Sequence, residues 1–210
     1  MVPCRLWIDL DNTLYPASSG FLDALDRRIN LFLAQRYGIP PGAAPAERHR
    51  LYVTYGATLL GLYKERKVDY GDYMDFVYQE EPARFFPRNP LLGRALRSLP
   101  QEKILFTNSC LAHARKVLRY LQVEDCFREI FFLDRDFVSK PMPESFKRVL
   151  AKTGWSYGES LFIDDADRNL KAAKALGMRV LKVNEDGQGN GYPCIRYLHD
   201  LPDYLKTTFL

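Results

Sequence analysis

The chain has no apolar run approaching the roughly 20 residues needed to span a bilayer, so a membrane protein is not expected. It has no C-x-x-C pair. Its four cysteines, Cys4, Cys110, Cys126 and Cys194, lie far apart and read neither as a zinc site nor as a disulfide framework. There is no long basic run either. Thirty basic residues against 26 acidic ones give a net charge of +4, a mild bias that suits an anionic small substrate or an ordinary solvated surface and leaves no nucleic-acid footprint. The first residues lack the basic stretch and apolar core of a secretory signal, and Asp9 and Asp11 fall where that core would lie. A reducing, cytoplasmic setting is the expectation, with neither membrane nor nucleic acid as a partner. Internal repeats and low-complexity tracts are also missing.

What is present is an ordinary globular composition, 47% hydrophobic and 27% charged over 210 residues, enough for a full core as one domain or one domain with an insert. Residues 4–9 form a short apolar stretch ending on an acid, which predicts a buried strand. After Tyr15-Pro16 strand signals vanish for about seventy residues. Apolar positions at 21, 25, 29, 32, 33 and 37 follow the helical period, and Gly38-Ile-Pro-Pro-Gly ends that helix. A second helix is predicted over 46–64 and a third over 70–79. From Asn89 onward helices and strands alternate, with strands at 103–106, 130–133, 161–163 and 180–183. The tail is a glycine-bearing loop before a short helix. Alternation of this kind predicts an α/β fold, a doubly wound parallel sheet with helices on both faces. The strand at 4–9 joins that sheet, so the helical block is an insertion after the first strand. The predicted division is a core of residues 1–16 and 88–210 and a helical insert of 17–87.

Four polar clusters sit at the carboxyl ends of predicted strands, where open α/β sheets bind ligands. In Asp9-Leu-Asp11-Asn-Thr13, carboxylates at i and i+2 can serve as nucleophile and general acid/base. Taken alone, D-x-D also occurs in metal-binding loops, glycosyltransferases and surface turns. Thr107-Asn108-Ser109 opens the next helix, where outward backbone N–H groups can cradle phosphate; a plain N-cap is the alternative. Lys140-Pro141 can set a positive charge beside the phosphate or merely be solvated. Asp164-Asp165 ends an apolar strand and, with Asp9, offers the hard oxygen ligands that magnesium prefers; a helix cap is again the alternative. The weight lies in the conjunction: nucleophile and acid, hydroxyl donor, lysine and acidic pair occur in order, each at a strand end.

Through these four motifs the sequence resembles the haloacid dehalogenase-like (HAD) hydrolase superfamily, over essentially the whole chain. The resemblance implies a Rossmann-like core with an all-helical cap. It implies Asp9 as nucleophile and Asp11 as acid/base, with the Asp11 backbone carbonyl on Mg2+. Thr107, Asn108 and Lys140 hold the phosphate, Asp165 is a direct metal ligand, and Asp164 ligates directly or through water. Dehalogenases of the superfamily lack the second aspartate, so phosphate-ester hydrolysis is the implied activity. A narrower set is similar to the pyrimidine 5′-nucleotidase branch: Asp11-Asn-Thr-Leu-Tyr-Pro16, Tyr55-Gly-Ala-Thr-Leu-Leu-Gly-Leu62, Phe106-Thr-Asn108 with His113-Ala114, and Phe162-Ile-Asp-Asp165 with Asn169. It implies a nucleoside monophosphate, UMP or CMP, as substrate. Asp167-Arg168 departs from the smaller, less charged sequence expected there. Among the cap aromatics Tyr52, Tyr55, Tyr63, Tyr70, Tyr73 and Phe76, one or two are expected to touch substrate. His113 can reach substrate or support Asn108; a satisfied structural histidine is the alternative. Three other readings share the motifs: a phosphatase of another small metabolite, a phosphomutase, and a phosphoacceptor signalling module. Asp11 and the insert argue against the last.

Overall fold

The computed structural model describes residue 3 and residues 5–133 and 138–209. Cys4, and with it the predicted start of the first strand, lies outside the described residues. Six strands, β1 (Arg5–Ile8), β2 (Glu102–Phe106), β3 (Glu129–Phe131), β4 (Ser160–Asp164), β5 (Arg179–Val183) and β6 (Cys194–Ile195), form one parallel sheet in the order β3-β2-β1-β4-β5-β6. Ile8 pairs with Leu105 on one side and Ile163 on the other. The strands therefore end level with one another, and the residues just past them share one rim.

Alternate residues of β1 feed two different apolar clusters, the signature of a sheet buried on both faces. Leu6 and Ile8 pack with Leu105, Ile163 and Leu181 against helices α5 (Pro90–Ser98), α6 (Leu111–Leu121) and α9 (Leu201–Phe209). Trp7 points the other way, with Phe106 and Phe162, against α7 (Pro143–Thr153) and α8 (Asp167–Ala175). This double burial explains why the strands read as near-continuous apolar runs. The two-residue β6, paired with β5, was not anticipated within the glycine-bearing tail.

Between β1 and α5 lie four helices, α1 (Phe21–Tyr37), α2 (Ala44–Tyr55), α3 (Thr58–Arg66) and α4 (Tyr70–Val77). They bury their own cluster, including Phe32, Leu51, Leu60, Leu62 and Tyr73, joined by Leu133. The single helix predicted over 46–64 is two, α2 and α3. Gly56 adopts φ +88° and Ala57 is extended, which breaks the backbone although the apolar period continues across the gap. Among the described residues no helix is long and apolar enough to cross a membrane.

Candidate active site

The rim of the sheet gathers all four polar clusters. Asp9 follows β1, its N–H donating to the Ile163 carbonyl at 2.9 Å. A tight turn follows, closed by the Leu14 N–H on the Leu10 carbonyl at 2.9 Å, with Asn12 at φ +60°. Asparagine tolerates that left-handed conformation better than most residues. The turn holds Thr13 Oγ1 3.1 Å from Asp9 Oδ2, donating to it.

Lys140 is the electrostatic centre. Only 1% exposed, its Nζ donates to Asp9 Oδ1 at 2.6 Å, Asp164 Oδ2 at 2.7 Å and the Phe106 carbonyl at 2.7 Å. Burial opposes its charge, but Asp164 and Asp9 outweigh it and hold the ammonium well above the ordinary lysine range. Burial also drives the Asp9 carboxyl well above its usual value. Lys140 pulls it down, while Asp164, Asp165 and Asp11 push it further up. Asp165 is pushed up to about 7, first by burial and then by the Asp164 charge.

Carboxylate oxygens of Asp9, Asp164 and Asp165 lie within 4.8 Å of one another. The two adjacent acids are engaged differently. Asp164 is fully buried and accepts from the Ala166 N–H, Asn169 Nδ2 and Lys140 Nζ. Among the described residues Asp165 accepts one hydrogen bond, a long one of 3.4 Å from Asn12 Nδ2. Three hard-oxygen donors around concentrated negative charge, one of them nearly uncommitted, fit a small divalent cation.

Asp11 lies in a separate network. Its Oδ1 accepts from the Tyr15 hydroxyl at 2.6 Å and faces His113 Nε2 at 2.9 Å; its Oδ2 accepts from Ser109 Oγ at 2.6 Å. Burial alone would raise the Asp11 carboxyl, but the His113 imidazole and these hydrogen bonds hold it below the ordinary range. An acceptor carboxylate requires His113 Nε2 to carry the proton. His113 is 1% exposed, and its Nδ1 is buried with no hydrogen-bond partner among the described residues. It sits beside Asp11, one turn into α6, and Asn108 is engaged elsewhere.

Thr107 is buried at the end of β2, its Oγ1 accepting from the Ser109 N–H at 3.0 Å. Asn108 clamps the lysine loop. Its Oδ1 accepts from the Lys140 N–H at 2.9 Å, and its Nδ2 donates to the Lys140 carbonyl at 2.8 Å and to the Gly56 carbonyl at 3.4 Å.

A cavity of about 320 Å³ opens over Asp9, Asp11, Thr107, Lys140 and Asp165. Its far wall comes from the helical block and includes Asp26, Arg48, Tyr52, Thr58, Tyr73 and Tyr78. Of the expected aromatics, Tyr52 and Tyr73 line it. Tyr55 does not; its hydroxyl donates to Glu65 at 2.9 Å. Sequence reasoning gave no role to Tyr78, Asp26 or Arg48, which come from the helical block, where only packing reveals what a residue faces; Ser109 and Tyr15 lie inside the quoted motifs, but their contacts with Asp11 were not foreseen. Arg48 is paired with Asp26 at 2.8 Å.

A parallel sheet with a buried carboxylate–lysine cluster at its carboxyl rim fits a HAD-type hydrolase. The chain belongs to the haloacid dehalogenase-like hydrolase family, whose profile matches residues 6–177. It is 27% identical over 199 residues to Phosphate metabolism protein 8 of Saccharomyces cerevisiae, covering 87% of this chain and 62% of that protein. It is 26% identical over 206 residues to the phosphoglycolate phosphatase of Pseudomonas putida, covering 91% and 73%. The chain thus spans less than two thirds of the yeast relative's length. Among solved structures, a HAD phosphatase from Thermococcus onnurineus matches with a TM-score of 0.62 at 18% identity, covering 96% of this chain and 97% of that one. The L-2-haloacid dehalogenase of Xanthobacter autotrophicus matches with 0.60 at 18% identity, covering 99% and 100%. At such identity the likeness shows the fold.

Proposed function

We propose that this hydrolase is a magnesium-dependent phosphomonoesterase that works through an aspartyl-phosphate, with a pyrimidine nucleoside 5′-monophosphate as substrate. The observation that carries the reading is the placement of Asp9: one oxygen on Lys140, the other on Thr13, and the cavity above. In the first step an Asp9 oxygen attacks phosphorus, an acyl-phosphate bond forms, the ester P–O bond breaks, and Asp11 gives its proton to the leaving alkoxide. In the second, water attacks the same phosphorus, Asp11 takes the water's proton, and Asp9 leaves as carboxylate. Lys140 and Thr107 stabilise charge on the phosphoryl oxygens, and Asn108 holds the Lys140 loop at the phosphate.

The resting network keeps Asp11 as carboxylate, the form that receives the water's proton. An arriving phosphoryl group adds negative charge beside it and raises its pKa toward the acid form needed first. Asp9, Asp165 and the Asp11 carbonyl would hold magnesium, which would neutralise charge at the phosphoryl group. The engagement of Asp164 by its neighbours supports Asp165 as the direct ligand and Asp164 as the residue behind it.

Residues 17–87 act as the cap, with 1–16 and 88–210 as the core. The aromatic wall supports a nucleobase, and the neutralised Asp26–Arg48 pair favours an uncharged leaving group over a carboxylate-bearing one. A cytoplasmic setting belongs to the same reading, and among the described residues Cys110, Cys126 and Cys194 are free thiols. Phosphate release from UMP, CMP, AMP, a sugar phosphate and phosphoglycolate, with and without magnesium, tests the reading. Magnesium-dependent release favouring UMP and CMP is expected. Preference for phosphoglycolate discards the substrate, and release unaffected by chelation discards the metal.

A further inference from the structure

Arg168, at the start of α8, sits three residues past Asp165 yet reaches across to the helical block. Its Nη1 donates to the Tyr52 carbonyl at 3.1 Å and its Nη2 to the Gly56 carbonyl at 2.8 Å, while its guanidinium carbon lies 3.5 Å from the Tyr52 ring centroid. The two carbonyls lie at the carboxyl end of α2, where the helix dipole is negative; the Tyr52 carbonyl also accepts from the Gly56 N–H at 2.9 Å, so Arg168 is its second donor. Arg168 hydrogen-bonds no carboxylate among the described residues, and its half-buried position costs it solvation. Its contacts are with a backbone turn and an aromatic face.

That turn is seated against the other site loops as well. The Gly56 carbonyl also accepts from Asn108 Nδ2, and the Tyr55 carbonyl accepts from Ser139 Oγ at 3.3 Å. A Cβ on Gly56 would lie 2.5 Å from Ser139 Oγ and 2.9 Å from the Lys140 carbonyl. Only glycine permits both this approach and φ +88°. The α2–α3 turn thus touches the phosphate loop, the lysine loop and the helix after the acidic loop at once.

We propose that Arg168 is a positioning residue, a latch that fastens the α2–α3 turn onto Asn108 and the Lys140 loop and so encloses the leaving-group cavity. The inference rests on the phosphomonoesterase reading of that cavity. Its planar fork suits two carbonyls at once, which a lysine ammonium on a flexible stem does not match. Arg168→Lys should therefore behave like Arg168→Ala.

The test compares wild type and both variants on UMP and on acetyl phosphate, with magnesium, and follows amide exchange by mass spectrometry. Expected is a fall of about tenfold in kcat/KM for UMP, carried mainly by KM. Acetyl phosphate has no nucleoside to enclose and should lose less than about threefold. Exchange should quicken over residues 52–60 while the sheet keeps its protection. Unchanged UMP kinetics and exchange would overturn the latch. So would equal losses on both substrates with weakened protection throughout, since Arg168 would then merely stabilise α8. A wild type inactive on UMP and on acetyl phosphate would instead sink the phosphomonoesterase reading, and the exchange at 52–60 would still decide the latch.

Discussion

Lys140→Met removes the cation that the described residues place between Asp9 and Asp164 while keeping an apolar stem between the Phe106 and Phe162 rings, which lie 5.2 and 5.5 Å from Nζ. Asp9 and Asp164 then lose their ion pairs at 2.6 and 2.7 Å. Removing one partner of a buried pair costs about 3–5 kcal/mol. A second route gives a similar figure: protonating one carboxylate at about pH 7 from an unfolded pKa of roughly 3.9 costs about 4 kcal/mol. Burial and the neighbouring acids already hold Asp9 high with the lysine present, so the lower part of the range applies, about 3 kcal/mol. The pH dependence has a definite sign. Without the lysine the Asp9 carboxyl rises further above its unfolded value, so the penalty is absent below the unfolded value and grows as pH rises through the window between the two. The deficit should therefore shrink to about 1 kcal/mol near pH 5. Urea unfolding of both proteins in metal-free buffer at the two pH values measures it. A deficit under about 1 kcal/mol at neutral pH, or one that does not shrink on acidification, would refute the claim that Lys140 neutralises this cluster.

Two further outcomes follow from the surroundings. His113→Phe keeps the ring contacts with Phe21 and Tyr78 but deletes the strongest influence lowering the Asp11 carboxyl. The acidic limb of the pH–rate profile should move to higher pH with kcat down about tenfold, and an unmoved limb would detach His113 from Asp11. Asp26→Asn leaves Arg48 without its carboxylate partner, so the kcat/KM ratio of phosphoglycolate to UMP should rise about tenfold; a constant ratio would show that the pair does not face the leaving group.

The parts legible in advance are those written locally. Asp9, Thr107 and Asp164 each end or adjoin a strand, and parallel strands in register bring such ends to one rim. Motif order and strand alternation therefore sufficed for the core architecture and for the convergence of the clusters. The break at Gly56 was hidden because Leu51, Tyr55, Leu59 and Leu62 keep a helical period across it; the interruption comes from the turn's docking on Ser139 and Lys140. Tyr55 and Tyr52 differ by less than a turn of one helix, yet only Tyr52 faces the cavity. Periodicity marks an apolar face but not the site it overlooks. Arg168 stood out only as an unexpected charge, since its acceptors are backbone carbonyls more than a hundred residues away.

The central claim is that Asp9 forms a bond to phosphorus. Acid quench during turnover of UMP bearing a radiolabelled phosphate, followed by peptide mapping, tests it directly in wild type and in Asp9→Asn. The account predicts label on the peptide containing Asp9 in wild type, none in the variant, and abolished turnover with the variant's fold intact. Label elsewhere in the chain, or near-normal turnover by Asp9→Asn, would contradict it.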